Sequence, residues 1–185
     1  MTPLVAQLNF YMALGAVALQ LLTVVLLVLY MYERTQKTQT QIGNHVARYA
    51  SQGIFELSLG AVALALVYSE VFGFVPCGLC WLQRVFLFPI LFVSGVALWM
   101  RDKIFAPVYV MVLTVPGFFI AMYQHYLQMG GSELVTCPLA AGDCAARILF
   151  EFGYVTFPLL AATLFAFLFV LALFARRGVL GSTGA

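Results

Sequence analysis

Four cysteines carry the chemistry that this sequence can do. Two stand as a CxxC pair in Cys77-Gly78-Leu79-Cys80-Trp81-Leu82-Gln83-Arg84, and two, Cys137 and Cys144, share a later loop. A CxxC pair is a redox or a metal device in most settings. Pro76 restricts the backbone ahead of Cys77, and Trp81 begins the next apolar stretch, so the pair is expected at or just before a helix N-terminus. The unpaired N–H groups and the dipole there stabilise a thiolate. Arg84 lies four residues past Cys80, on the same helical face. Its positive charge can stabilise a thiolate at Cys80, or donate to a carbonyl oxygen of a bound acceptor whose charge grows on reduction. An interfacial arginine held by lipid phosphate is the plainer reading.

The elements that position these residues are apolar. The chain has 185 residues, 64% of them hydrophobic and 9% charged, with mean hydropathy +1.02. A soluble domain has too little polar surface to cover that much apolar side chain. Five runs, at about 9–32, 54–75, 85–100, 104–124 and 152–175, approach the length of about 20 residues that spans a bilayer, and none contains Lys or Arg. The third is short, and 81–84 is expected to extend it. The chain reads as one all-helical membrane domain without a soluble domain or a long-period repeat. The first run has no basic residues ahead of it and is long for a signal sequence, so it reads as an uncleaved helix.

With five crossings, Arg34, Lys37, Arg48, Arg101, Lys103, Arg176 and Arg177 share one side, while Arg84 and Arg147 fall on the other. The positive-inside rule then puts the N-terminus outside, the C-terminus in the cytoplasm and both cysteine loops outside. Disulfides persist in that compartment. No basic cluster is dense enough for nucleic acid.

The stretch 33–53, rich in Gln and Thr with Ile42, Val46 and Tyr49 mildly amphipathic, reads as a cytoplasmic connection that lies along the inner surface or is a plain polar linker. The turn Arg101-Asp102-Lys103 is short enough to force antiparallel neighbours. Pro107 falls near a helix start, whereas Pro89, Pro116 and Pro158 read as internal kinks, with Pro116-Gly117 the foremost bend. Glu56 and Glu70 lie near the ends of the second run, where they either reach the interface or, for Glu70, approach the CxxC.

Cys137 and Cys144 are separated by six residues, which allows a disulfide closing a small loop. Asp143 disfavours a thiolate at Cys144, Arg147 could offset it, and Pro138 makes a stiff approach to Cys137. The loop 125–151 is polar enough to meet a soluble partner. Three readings of the four cysteines stay open: two structural disulfides, a four-cysteine zinc site with a wide second spacing, and a relay in which the loop pair takes electrons from a soluble dithiol and the CxxC passes them to an acceptor in the membrane. The shared outer face and the Cys80–Arg84 spacing favour the relay, in which no metal takes part.

On these residues the chain resembles the DsbB family of membrane disulfide-bond-forming oxidoreductases, and its BdbC-like branch most. The resemblance spans about 48–177 and is carried by Ser69-Glu70-Val71, by the string from Val75 to Arg84, by Pro116-Gly117 with Tyr123-Gln124-His125-Tyr126-Leu127-Gln128, by the Cys137/Cys144 loop, and by Phe152-Gly153-Tyr154-Val155-Thr156-Phe157-Pro158. It implies an antiparallel four-helix transmembrane bundle over 48–177. Residues 1–47 then form an extra N-terminal transmembrane helix and linker, and 178–185 a cytoplasmic tail. It implies a multi-pass monomer of the bacterial cytoplasmic (inner) membrane that oxidises a DsbA-like or BdbD-like thioredoxin-fold protein and reduces a quinone, ubiquinone or menaquinone. Carried onto this chain, the partner attacks Cys137, Cys144 is freed to pair with Cys77, and Cys80 is released toward the quinone near Arg84. His125 matches a family histidine that could assist quinone protonation, or be structural. Trp81 could line the quinone pocket or belong to the aromatic belt. The chain departs from the pattern in its first helix and in Gln83, where many members carry an acid. A vitamin K epoxide reductase-like quinone reductase, with the loop pair in the reverse order, and a non-enzymatic scaffold with two structural disulfides are the rival functions.

Overall fold

The computed structural model describes residues 3–102, 104, 106–133, 137 and 143–182. Lys103, Pro138 with the rest of 138–142, and the end of the tail at 183–185 lie outside the described residues. Among the described residues five helices carry the fold: α1 Pro3–Gln36, α2 Gln41–Leu66, α3 Gly78–Met100, α4 Ala106–Gln128 and α5 Phe157–Ser182. All five are long and apolar enough to cross a membrane, with α2 prolonged by a π turn, Val67–Val71. The protein is an all-α, multi-pass membrane protein. α2, α3, α4 and α5 each pack on two neighbours and close a four-helix bundle, and α1 lies outside it against α5.

The bundle is held by close packing, because lipid offers apolar side chains a surface as apolar as another helix. Phe165, Phe174, Ile90, Leu168 and Val110 fill the centre. Gly117 is what lets α4 approach α5: a Cβ there would fall 2.6 Å from the Phe165 ring. Both α3 and α4 run unbroken through Pro89 and Pro116. Pro158 is not internal, contrary to the sequence reading. It is the second residue of α5, in the first turn, where its missing N–H is not required. The Thr156 hydroxyl caps that end, accepting from Leu159 N at 3.4 Å.

The largest departure from the sequence reading is at 33–53. Helix α2 begins at Gln41, so most of the expected connection is helical and continuous with the span. Thr40 caps it, its Oγ1 accepting from Gly43 N at 3.1 Å. The reason lies in Glu33, buried at the end of α1. Its carboxylate accepts from Thr40 N at 2.8 Å and from the Thr40 hydroxyl, and pairs with Arg177 Nη1 at 2.5 Å. Arg177 also donates to Thr38 O at 2.6 Å. This knot ties the ends of α1 and α5 to the start of α2 and leaves no slack for a surface strand of chain.

The expected fifth span also starts late. Residues 150–156 form a small antiparallel hairpin, β1 Phe150–Glu151 with β2 Val155–Thr156, pairing Phe150 with Thr156 and Glu151 with Val155. Its turn needs a left-handed backbone at Phe152 and Gly153, which Gly153 accepts without cost. Glu56 is exposed and accepts from Gln52, and Glu70 is exposed in the π turn.

Candidate functional site

Cys77 is the N-cap of α3. Its backbone is extended, as an N-cap residue requires, and its Sγ accepts from Cys80 N at 3.4 Å. The first helical bond, Trp81 N to Cys77 O, is 3.0 Å. The CxxC therefore sits at a helix N-terminus, as its sequence predicts. The two sulfurs stand 3.0 Å apart as thiols. Cys77 is the deeper, only 3% exposed. Its thiol is held above the ordinary range, first by its hydrogen bond with Cys80 and then by burial, so it keeps its proton.

Gln124 of α4 completes the pair, and sequence reasoning missed it. It is 1% exposed. Its Nε2 donates to Cys77 Sγ at 3.1 Å and to Cys80 Sγ at 3.3 Å. Its Oε1 accepts from Gln83 Nε2 at 2.6 Å. Gln83 thus turns the Gln124 amide so that its N–H groups meet sulfur. A buried amide is costly unless bonded, and here each of its polar atoms has a partner.

Cys137 and Cys144 are joined as a disulfide. Cys144, 1% exposed, packs in one buried cluster with Cys77, Leu79 and Leu127, and Cys80, Cys137, Ile120 and Tyr123 pack against it. All four cysteines meet at one end of the bundle. The Cys144 segment is docked on the end of α4: Arg147 Nε donates to Gln128 O at 2.5 Å, and Gln128 Nε2 to Ala146 O at 2.8 Å. Arg147 also stacks 4.7 Å from the Phe150 ring, so its guanidinium caps α4.

Arg84 points from α3 toward α2. Its Nη2 donates to Ala65 O at 2.8 Å, a carbonyl just before the π turn that also accepts from Ser69 Oγ at 3.1 Å. Its guanidinium lies 5.1 Å from the Trp81 ring, which is 54% exposed toward lipid. His125 goes elsewhere. Consecutive helical side chains diverge by about 100°, so while Gln124 meets the sulfurs, His125 Nδ1 pairs with Thr156 Oγ1 at 2.8 Å beside the hairpin. The structure brings together the four cysteines, Gln83 and Gln124, with Trp81 directly after Cys80 and Arg84 one turn past it on α3. A cleft of about 570 Å³ lined by Glu33, Arg48, Arg101 and Arg177 lies at the opposite end of the helices.

The family model for DsbB, disulfide bond formation protein DsbB, matches residues 47–175. The chain belongs to the DsbB family. This DsbB-family protein is similar to the SPbeta prophage-derived disulfide bond formation protein B of Bacillus subtilis (strain 168), 36% identical over 122 residues that cover 65% of this chain and 80% of the relative. Disulfide bond formation protein C of the same organism is 32% identical over 118 residues, 62% of this chain and 82% of the relative. No solved structure matches the chain. As a DsbB-family member it is a membrane thiol–disulfide oxidoreductase, and α1 is an addition outside the matched residues.

Proposed function

We propose that this DsbB-family protein reoxidises a thioredoxin-fold thiol protein, of the DsbA or BdbD kind, outside the bacterial cytoplasm and delivers the electrons to a membrane quinone. The observation that carries the proposal is the single buried cluster in which Cys144 of the loop pair packs with Cys77 of the CxxC. Two purely structural disulfides have no need to meet. Within each pair one cysteine is deep, Cys144 and Cys77, and the other, Cys137 and Cys80, is less buried. That difference supports an order of events. A partner thiolate attacks Cys137, forming a mixed disulfide and releasing Cys144 as a thiolate. Cys144 attacks Cys77, the Cys77–Cys80 bond breaks, and Cys80 leaves with the electron pair. The second partner thiol then resolves the mixed disulfide and frees Cys137, which attacks Cys144, breaks the Cys77–Cys144 bond and re-forms Cys137–Cys144, leaving Cys77 and Cys80 as the reduced pair whose two electrons an acceptor would take.

A bound quinone, ubiquinone or menaquinone, supplies a two-electron, two-proton acceptor. The donor set suits one. The Arg84 guanidinium has five N–H donors, of which Ala65 O takes one, leaving others for a carbonyl oxygen. Trp81 offers an apolar, lipid-facing plane beside it. His125, which meets Thr156 beside the hairpin, is not part of that set. The basic residues Arg34, Arg48, Arg101 and Arg177 lie at the helix ends away from the cysteines, which supports cysteine loops on the extracytoplasmic side.

The test is trapping. The Cys144→Ser variant accumulates a mixed disulfide with a reduced thioredoxin-fold partner through Cys137, and the Cys137→Ser variant traps none. Partner oxidation that persists in both variants with quinone present removes the relay. Arg84→Ala weakens quinone use and leaves exchange at Cys137 intact.

A further inference from the structure

Helix α1 lies outside the residues shared with the family, and much of its surface, including Leu21, Val24, Val25 and Val28, is exposed to lipid. A simple anchor needs no polar group on its packed face, where an unbonded amide would be costly. Yet Asn9 is 3% exposed and uses both ends of its amide. Its Nδ2 donates to Ile148 O at 3.2 Å, and its Oδ1 accepts from Tyr68 OH at 2.5 Å. Ile148 lies four residues past Cys144, and Tyr68 lies in the π turn nine residues before Cys77. One side chain of α1 thus bridges the segments that carry the two deep cysteines.

The packing around Asn9 makes the bridge stiff. Ala13 and Ala16 of α1 form a buried cluster with Leu149 and Val155, on either side of the hairpin turn. Phe10 meets Phe152 at 5.8 Å, and the Tyr68 ring meets Phe157 edge-on at 4.7 Å. Further along α1, Gln20 bonds Thr163 of α5 and accepts from Tyr154, without touching either cysteine segment.

We infer that α1 is a strap that aligns the two cysteine loops for exchange, with Asn9 as its positioning residue. The inference rests on the relay proposed above. In the aligned step the Cys144 thiolate attacks Cys77 Sγ, the Cys77–Cys80 bond breaks, the Cys77–Cys144 bond forms, and the electron pair leaves on Cys80. Thiolate and disulfide must approach in line, and a misplacement of about 1 Å can slow such a step a hundredfold.

The test uses the full-length Cys80→Ser/Cys137→Ser protein, in which Cys77 and Cys144 are the remaining thiols. Diamide, a two-electron oxidant, joins them, and the rate is read by mass spectrometry after alkylation. With native α1 the Cys77–Cys144 bond forms readily. Asn9→Leu and Tyr68→Phe each slow it by about tenfold, and Gln20→Leu leaves it unchanged. Tyr68→Phe keeps the ring packing and removes only the hydroxyl, so its slowing is not loss of fold. Equal slowing by Gln20→Leu makes α1 a general prop and overturns the inference. Unchanged rates in the Asn9 and Tyr68 variants overturn it while the relay stands. A Cys77–Cys144 bond that never forms with native α1 removes the relay itself, and this role for α1 with it.

Discussion

Gln124→Leu is the sharpest test of the site. The change keeps the side-chain volume near constant and removes the amide that donates to Cys77 Sγ at 3.1 Å and Cys80 Sγ at 3.3 Å. Those bonds stabilise the reduced pair more than the disulfide, because reduction concentrates negative charge on sulfur. Cys77 keeps its proton, so that charge belongs to Cys80. A hydrogen bond to a charged group contributes about 1.5–3 kcal/mol. For a two-electron couple, about 1.4 kcal/mol corresponds to 30 mV, so losing it lowers the Cys77–Cys80 potential by about 30–65 mV. The measurement is an equilibrium titration of the Cys137→Ser/Cys144→Ser protein against dithiol buffers, with the thiols trapped by alkylation and weighed. Gln83→Leu, which frees the Gln124 amide to turn, shifts the midpoint in the same direction by less. An unchanged midpoint, or one moved to higher potential, refutes the assignment of Gln124 as the group that favours the reduced pair.

Arg177→Leu leaves the Glu33 carboxylate buried without its cation. The melting midpoint in detergent falls by an amount equivalent to about 3 kcal/mol, the low end for a buried pair because the Arg177 side chain is itself 22% exposed. Adding Glu33→Gln restores part of it. Gly117→Ala drives a Cβ to 2.6 Å from the Phe165 ring and costs about 1–3 kcal/mol, and Phe165→Leu in the same chain recovers stability. The reduced protein also loses stability with alkali. The folded state holds the Cys77 proton above the ordinary thiol value of 9.0, while the unfolded chain releases it. Stability is therefore complete below that value and falls as pH rises past it. Thermal melts above about pH 9 show a slope that Cys77→Ser flattens.

What could be read in the sequence was local. The CxxC, the proline before it and the arginine one turn after it fix a helix N-terminus and its chemistry within nine residues, and the structure keeps that arrangement. Five apolar runs declare five spans for the same reason. What could not be read depends on distant partners. Gln124 stands in an apolar run, and a lone polar residue facing inward is a signal, but its meaning needs Cys77 and Gln83, each more than forty residues away. The early start of α2 rests on Glu33 and Arg177, separated by 144 residues. Strands of two residues show no alternation to detect, so the hairpin merged with the fifth run. The sequence marked α1 as a span but gave no sign that Asn9 meets Ile148 and Tyr68.

The arrangement of depth also bears on how the proposed relay would avoid a short circuit. An external dithiol that reduced the CxxC directly would bypass the loop pair. Cys77 is closed off by Leu79, Leu127 and Cys144, and Cys80 is bound by Gln124 on its inner side. Trp81, half-exposed, follows Cys80 directly on α3, and Arg84 lies over its ring. On the proposed relay, a water-soluble thiol would meet Cys137 first and an apolar acceptor would meet Cys80 first. Selectivity between the two proposed electron partners would then follow from the phase each arrives in. Opening the cluster at Leu127 by substitution with Ala should weaken that division. Direct reduction of the CxxC by a small soluble dithiol then becomes faster in the Cys137→Ser/Cys144→Ser background, and an unchanged rate would mean that burial of Cys77 is not what separates the two routes.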